Sequence, residues 1–334
     1  DLHYPLRRQR QMCIRDRYSY RDGNGRKYKS LCQATMFYFK HIMMYEGGLN
    51  NETRFLGTRL CDQYGLDTSV IHGMIDWLAW CYAENIIDEN QSGLPLSKIG
   101  GPEFIEKLTK IITHREGLGD LLAKGTIEAA KSFGGKAMER IGDFIATRNS
   151  ETKDYDPRLM PTTALIYAME PRRAIQTLHE PVSYLSKWLE WANGKENATF
   201  SSDAFRKFSK RIWGSEAAAD FTSMEGKALA SKKARDRAYA KESMILCDLS
   251  WMRILADYFT ENVNEPFLEH RIFSAVTGKD VDEAGFYGFG ERNVNLQRAV
   301  HLREGWGGRN DDRLMDYFFS QPLRKGELFC DPDC

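Results

Sequence analysis

Apolar residues recur at helical spacing along most of the chain and almost nowhere at the spacing of a strand. Val70, Met74, Leu78 and Cys81 fall at i, i+4, i+8 and i+11, which predicts a helix with one buried face. Phe104, Leu108 and Ile111 stripe another. Tyr38, Ile42 and Tyr45 stripe a third, and this aromatic group reads as core packing rather than a cofactor box. Trp188, Trp191, Phe205, Phe208 and Trp213 predict helical packing behind a solvated basic face of Arg206, Lys207, Lys210 and Arg211. Lys227 to Lys241 is an Ala/Lys/Arg/Glu-rich helix. Gly47-Gly48, Gly93, Pro95 and Gly100-Gly101-Pro102 punctuate these stretches. Gly290 and Gly305 read as the start and stop of a late helix, with Arg292, Asn295 and Arg298 as a structural polar stripe on it. No convincing run alternates apolar and polar residues. The fold class is mostly α.

A polar stretch from Ser150 to Asp154-Tyr155-Asp156-Pro157-Arg158 separates a helical domain of residues 18–150 from one of residues 151–334. Residues 1–17 stand apart. Arg8-Gln9-Arg10-Gln11-Met12-Cys13-Ile14-Arg15-Asp16-Arg17 looks like a translated sequencing-adapter end, without amphipathic period or cap, and is set aside as non-native.

Composition narrows the function. The 334 residues are 42% hydrophobic, enough for a large core, and 47 basic residues balance 47 acidic ones. A net charge of zero provides no field to attract a polyanion, so nucleic acid is not an expected partner. No apolar run approaches the ~18–20 residues of a membrane span. Apart from Cys13, the cysteines are Cys32, Cys61, Cys81, Cys247, Cys330 and Cys334. Their scatter suits a reducing cytoplasm better than a disulfide framework. Cys330 and Cys334 form a lone C-x3-C with no His or Cys nearby to complete a metal site. A zinc-dependent hydrolase is excluded for want of a His/Glu pair at helical ligand spacing.

The chemistry concentrates at Cys61-Asp62-Gln63-Tyr64-Gly65-Leu66-Asp67-Thr68, just ahead of the first of these helices. Asp67 or Thr68 can cap that helix, and Gly65 allows a bend or the close approach of a ligand. Two readings follow. The segment is a capping turn with Asp62 solvated, or it offers two carboxylates and oriented N–H groups to a flat heterocycle rich in N–H donors.

Asp-x-x-Gly-Leu-Asp at Asp62–Asp67 resembles the pterin-binding motif of the tungsten-containing aldehyde:ferredoxin oxidoreductase family. A second copy in that family ends in a cysteine ligand of a [4Fe–4S] cluster. The segment similar to it here is Glu242-Ser243-Met244-Ile245-Leu246-Cys247, with Glu242 for the usual Asp and Ile245 for the usual Gly. Further segments fall in family order: Arg115-Glu116-Gly117-Leu118-Gly119-Asp120, Asp156-Pro157-Arg158, Ala275 to Asp280, Gly290 to Arg298, Leu302 to Gly305, and Pro322-Leu323. The resemblance covers residues 18–334. It implies the multi-helical second and third domains, with the N-terminal pterin-binding domain missing. Also missing is the C-x2-C-x3-C that would supply the other cluster ligands.

By that resemblance, Asp62, Gly65, Leu66, Asp67, Thr68, Glu242, Leu246 and Asp248 contact a tungsten (or molybdenum) bis-pterin, and Cys247 ligates the [4Fe–4S] cluster. Electrons would pass to ferredoxin or another electron-transfer subunit, and a small-molecule aldehyde would leave as a carboxylate. Two positions depart from the family. Gln176 stands where aldehyde-oxidising relatives carry a histidine, and His179, one turn on, could substitute. Lys29, in Lys27-Tyr28-Lys29-Ser30, replaces a glutamate, and an ammonium does not act as a carboxylate base without a strongly depressed pKa. These departures leave open another two-electron substrate, such as an acyl-coenzyme A ring, or a non-catalytic helical subunit that lost the metal. Homo-oligomerisation is left open as well.

Overall fold

A computed structural model describes residues 18–21, 25, 27–30, 37–45, 47, 50–153, 155–246 and 268–321. The segment of residues 1–17, Cys32, Cys247, Asp248, the Pro322-Leu323 pair, Cys330 and Cys334 lie outside these. The chain divides into two compact units, the first ending at Asp154 and the second beginning at Tyr155.

The first unit opens with a feature the hydrophobic pattern did not predict. Strands β1 (Tyr18–Arg21) and β2 (Lys27–Ser30) pair antiparallel, with Tyr20 opposite Tyr28 and Ser19 opposite Lys29. Each strand is four residues long, too short for alternation to stand out from its surroundings.

Helices account for the rest. α1 (Phe39–Tyr45) is followed by α2 (Asn51–Tyr64), whose N-cap Asn50 accepts from the Thr53 N–H at 3.1 Å. α3 (Thr68–Ala83) buries Met74, Leu78 and Cys81, as their spacing predicts, together with Ile71, Ile75 and Trp77. Trp77 satisfies its indole N–H on the Ala137 carbonyl at 3.0 Å, so this large side chain leaves no polar cost behind. α4 (Pro102–His114) starts on a proline at its first turn and buries Phe104, Leu108 and Ile111. The buried Tyr38 hydroxyl donates to the Gly101 carbonyl (2.9 Å) and accepts from the Gly100 N–H (3.0 Å), pinning the approach to α4. Ile42 is buried with Tyr38, but Tyr45, at the last turn of α1, is exposed rather than core. α5 (Leu118–Leu122) and α6 (Thr126–Phe133) complete the unit's main helices. α4 ends on Arg115 in the left-handed conformation, and a Cβ on Gly119 would lie 2.1 Å from the Ile111 carbonyl oxygen, so this glycine lets α5 fold back on α4.

The second unit starts from a buried carboxylate–guanidinium turn. Asp156 accepts from the Arg158 backbone N–H at 2.8 Å and holds its side chain at 2.6 Å. α7 (Pro161–Met169), α8 (Ile175–Ala192) and α9 (Ser202–Phe208) follow. Tyr184, Leu185, Phe205, Phe208, Ile212 and Trp213 form the centre of the core, with Trp188 at its edge. Arg206, Lys207, Lys210 and Arg211 are exposed, as their pattern predicts, while Trp191 lies at the surface rather than in the packing.

α10 (Lys227–Ser243), α11 (Glu269–Thr277) and α12 (Glu283–Arg303) close the unit. α12 starts at its N-cap Asp282, which accepts from the Gly285 N–H at 2.8 Å, not at Gly290. Gly290 is mid-helix and buried, and a Cβ there would sit 1.8 Å from the Asp236 carbonyl oxygen of α10. It permits a close helix crossing and does not mark a start. Among the described residues no helix is long and apolar enough to cross a membrane.

Candidate functional site

The turn between α2 and α3 is built by two caps sharing a few residues. Gly65 is left-handed (φ 69°, ψ 31°), and the Leu66 N–H behind it donates to the Cys61 carbonyl at 2.9 Å. That six-residue closure satisfies a carbonyl that the helix end would otherwise orphan. Asp67 then caps α3, its Oδ1 accepting from the Ser69 N–H at 2.7 Å. Asp62, Gly65 and Asp67 are exposed, while Leu66 and Thr68 are half-buried. The capping reading therefore describes the local geometry. It does not compete with ligand binding: a carboxylate has about four lone-pair sites, and the cap uses one.

The second acidic turn, at the end of α10, is closed by the same six-residue hydrogen bond. The Leu246 N–H donates to the Lys241 carbonyl at 3.0 Å, and the Ile245 N–H donates to the Glu242 carbonyl at 2.8 Å. Between them Ile245 is left-handed, with φ at 61°. In sequence Ile245 is a departure from the motif; in the backbone it holds the conformation of Gly65. A β-branched residue there is an outlier, since the left-handed region costs an L-residue about 1–2 kcal/mol. Glu242 and Leu246 are half-buried. Asp62 and Glu242 occupy the same place, three residues before the left-handed one and on the last turn of their helices. A negative charge there opposes the helix dipole.

The remaining candidates are distributed unevenly. Gln176 is exposed on the first turn of α8. His179, on the next turn, is buried, with its Nδ1 2.8 Å from the Tyr155 hydroxyl and the two rings edge to face at 5.5 Å. That partner gives His179 a packing role in this unit. Lys29 lies in β2, opposite Ser19.

Two groups of residues escaped the sequence reading. Glu170, in the link between α7 and α8, is hydrogen-bonded by the Tyr239 hydroxyl (3.4 Å) and the Gln297 amide (3.2 Å). Burial raises its carboxyl pKa against the opposing pull of Arg235, Tyr239 and Gln297. Its one sequence signal was an acid before a proline at a helix end. The other is His72 with Asp76, four residues apart on α3, a His/Asp spacing that a search for His/Glu pairs passes over. By contrast Cys61 and Cys81 are buried free thiols whose pKa values burial pushes up to about 12, the Cys61 value also through Asp62 and Asp67. Neither is a thiolate at neutral pH.

Comparison with known proteins brings these elements together. The family model described as aldehyde ferredoxin oxidoreductase, domains 2 and 3, matches residues 30–329. The tungsten-containing aldehyde ferredoxin oxidoreductase of Pyrococcus furiosus is 23% identical over 281 residues, 84% of this chain and 40% of that protein. The protein of the same description from Pyrococcus horikoshii is 23% identical over 283 residues, again 84% of this chain and 40% of its own length. One from Pyrococcus abyssi is 28% identical over 129 residues, 37% of this chain and 20% of that protein. The chain thus spans about 40% of the length of the first two relatives. With the match running through both helical units and both acidic turns, the chain belongs to the aldehyde ferredoxin oxidoreductase family, in its domains 2 and 3.

Proposed function

We propose that this chain is the pterin-holding helical part of a tungsten (or molybdenum) bis-pterin oxidoreductase that converts a small aldehyde to its carboxylate and passes electrons to ferredoxin. When bound, the metal–pterin group supplies two-electron redox chemistry at the substrate carbon; the protein's share is binding and orientation. Asp62 and Asp67 on the first turn, Glu242 on the second, and Asp248 beyond it in sequence would accept hydrogen bonds from pterin N–H groups. Gly65 and Leu66 shape the first turn, Leu246 the second, and Thr68 sits beside its ligand face. Asp67 keeps one oxygen on the Ser69 N–H, which fixes the carboxylate's direction before any ligand arrives.

The observation that carries this reading is the pair of acids, Asp62 and Glu242, at one position of two helix ends closed by the same six-residue hydrogen bond behind a left-handed residue. Gln176, at the start of α8, is exposed, as is Arg172 in the loop before it. His179 supports that helix through Tyr155. The family's cluster needs four thiolates. Cys247 would be one, and the sequence has no C-x2-C-x3-C for the others, so no step is assigned through it here.

The test uses the intact protein, read from the uninterrupted gene and expressed anaerobically. Tungsten or molybdenum together with iron, and aldehyde-dependent reduction of ferredoxin, are the expected findings. Asp62→Ala and Glu242→Ala should each lower bound metal while the helical circular dichroism is kept. An intact protein with neither iron nor tungsten nor molybdenum would refute the enzyme and leave a helical scaffold. A metal-loaded protein inert to aldehydes but active on an acyl-coenzyme A would transfer the reading to another substrate, as Lys29 and Gln176 allow.

A further inference from the structure

In the first unit a single carboxylate faces two imidazoles. His72 and Asp76 are one turn apart on α3 and so share a face. His41, on α1, reaches the same carboxylate: Asp76 Oδ1 lies 2.9 Å from His41 Nε2, and Asp76 Oδ2 lies 3.6 Å from His72 Nε2. One ligand atom from each of the three lies within 4.8 Å of the other two. The imidazole rings meet edge to face with centroids 5.4 Å apart. His41 is buried, whereas the side chains of His72 and Asp76 keep 15% and 16% of their surface.

A plain structural pair explains only part of this. Asp76 Oδ1 is hydrogen-bonded to His41, and His72 Nε2 stands at 3.6 Å from the other oxygen, outside hydrogen-bond range. The place already draws positive charge, since the Lys40 ammonium lies 3.1 and 3.2 Å from the two Asp76 oxygens. Its side chain is 53% exposed and can withdraw into water.

We propose that His41, His72 and Asp76 form a binding site for a divalent first-row transition ion of the zinc class, separate from the pterin turns and independent of the function proposed above. Two imidazole nitrogens and a carboxylate oxygen, with water in the fourth position, are a donor set that suits zinc, iron or nickel better than magnesium or calcium. In a tetrahedral zinc site the ligand atoms stand about 3.3 Å apart, so on binding the His41–Asp76 pair, now at 2.9 Å, opens slightly while His72 adjusts to meet them. The ion takes the place of the proton between His41 Nε2 and Asp76 Oδ1, the His41 ring binding as its neutral Nδ1–H tautomer, and Lys40 is displaced.

The experiment is equilibrium dialysis of the full chain, stripped with chelator, against Zn²⁺, with Co²⁺ absorption as a second readout. The expected result is one tightly held ion per chain and visible bands of four- or five-coordinate Co²⁺ that Zn²⁺ abolishes. His72→Gln, at a partly exposed position, should weaken binding by more than about 100-fold. His114→Gln, at an exposed histidine elsewhere in the same unit, should leave it unchanged. Lys40→Gln removes the competing ammonium and should tighten binding, whereas a purely structural Lys–Asp–His network would gain no affinity from that change. The proposal falls if no ion is retained, if His72→Gln binds as the parent does, or if a sulfur-to-cobalt charge-transfer band places the ion on cysteine.

Discussion

Ile245 holds a backbone conformation that Gly65 adopts at no steric cost. Replacing Ile245 by Gly should relieve the left-handed strain, and the net gain, after the entropy glycine adds to the unfolded chain, should be about 1 kcal/mol. Gly65→Ile should lose about 1–2 kcal/mol in the sister turn. Calorimetry of the two variants checks both, and a silent pair would mean that the left-handed turns do not persist in solution. Asp67 as a cap was legible in the sequence because capping is local chemistry; the φ of Ile245 was not, because tertiary context imposes it against local preference. Glu170 was hidden for a related reason, since Tyr239 and Gln297 reach it from distant parts of the sequence. Its raised pKa carries a sign. The charged form is penalised in the folded state, so its stabilising contribution is present below the unfolded carboxylate range and is lost as pH rises through the folded value. Glu170→Gln should therefore stabilise the protein near pH 8 more than near about pH 4, as read from denaturant midpoints at the two pH values.

The helices were readable wherever an apolar stripe runs their length, as in α3 and α4. They were misread where a glycine marks contact and not conformation. Gly290 resembles a helix start in sequence, yet it lies where α12 crosses α10 with no space for a methyl group. Gly290→Ala should cost at least about 1–3 kcal/mol through overpacking. Gly288, in the same helix, faces open space, with nothing within 4 Å of where a Cβ would stand, so Gly288→Ala should gain up to about 1 kcal/mol from helix propensity. Opposite signs for two neighbouring glycines, measured as shifts in urea midpoint, would locate the crossing at Gly290; equal effects would remove it. The β1–β2 pair and the approach of His41 to the His72–Asp76 face show the same limit from another side. Both depend on a partner segment, and a periodicity scan examines one segment at a time.

At the scale of the whole chain, the change of composition near Ser150 already divides the sequence, because each half carries its own helical stripes. What it leaves unread is how each unit balances the charge it buries. In the second unit Glu180 accepts from the Arg237 guanidinium at 2.6 and 3.1 Å and from the Trp213 indole at 2.9 Å, all three side chains lying within the core. Nothing in the spacing of Glu180, Trp213 and Arg237 along the chain announces that meeting. Removing one partner strands a buried charge and should cost about 3–5 kcal/mol, a large share of the ~5–15 kcal/mol that holds a domain folded. Glu180→Ala should thus open the second unit first. Hydrogen exchange read by mass spectrometry should show lost protection across α8, α10 and the Ser209–Trp213 turn, while the amides of α3 and α4 keep theirs. A simultaneous loss in α3 would mean that the two units unfold as one. Substituting Glu180 and Arg237 together by Met and Leu should recover much of the loss, because an apolar pair of similar volume removes the stranded charge along with the ion pair.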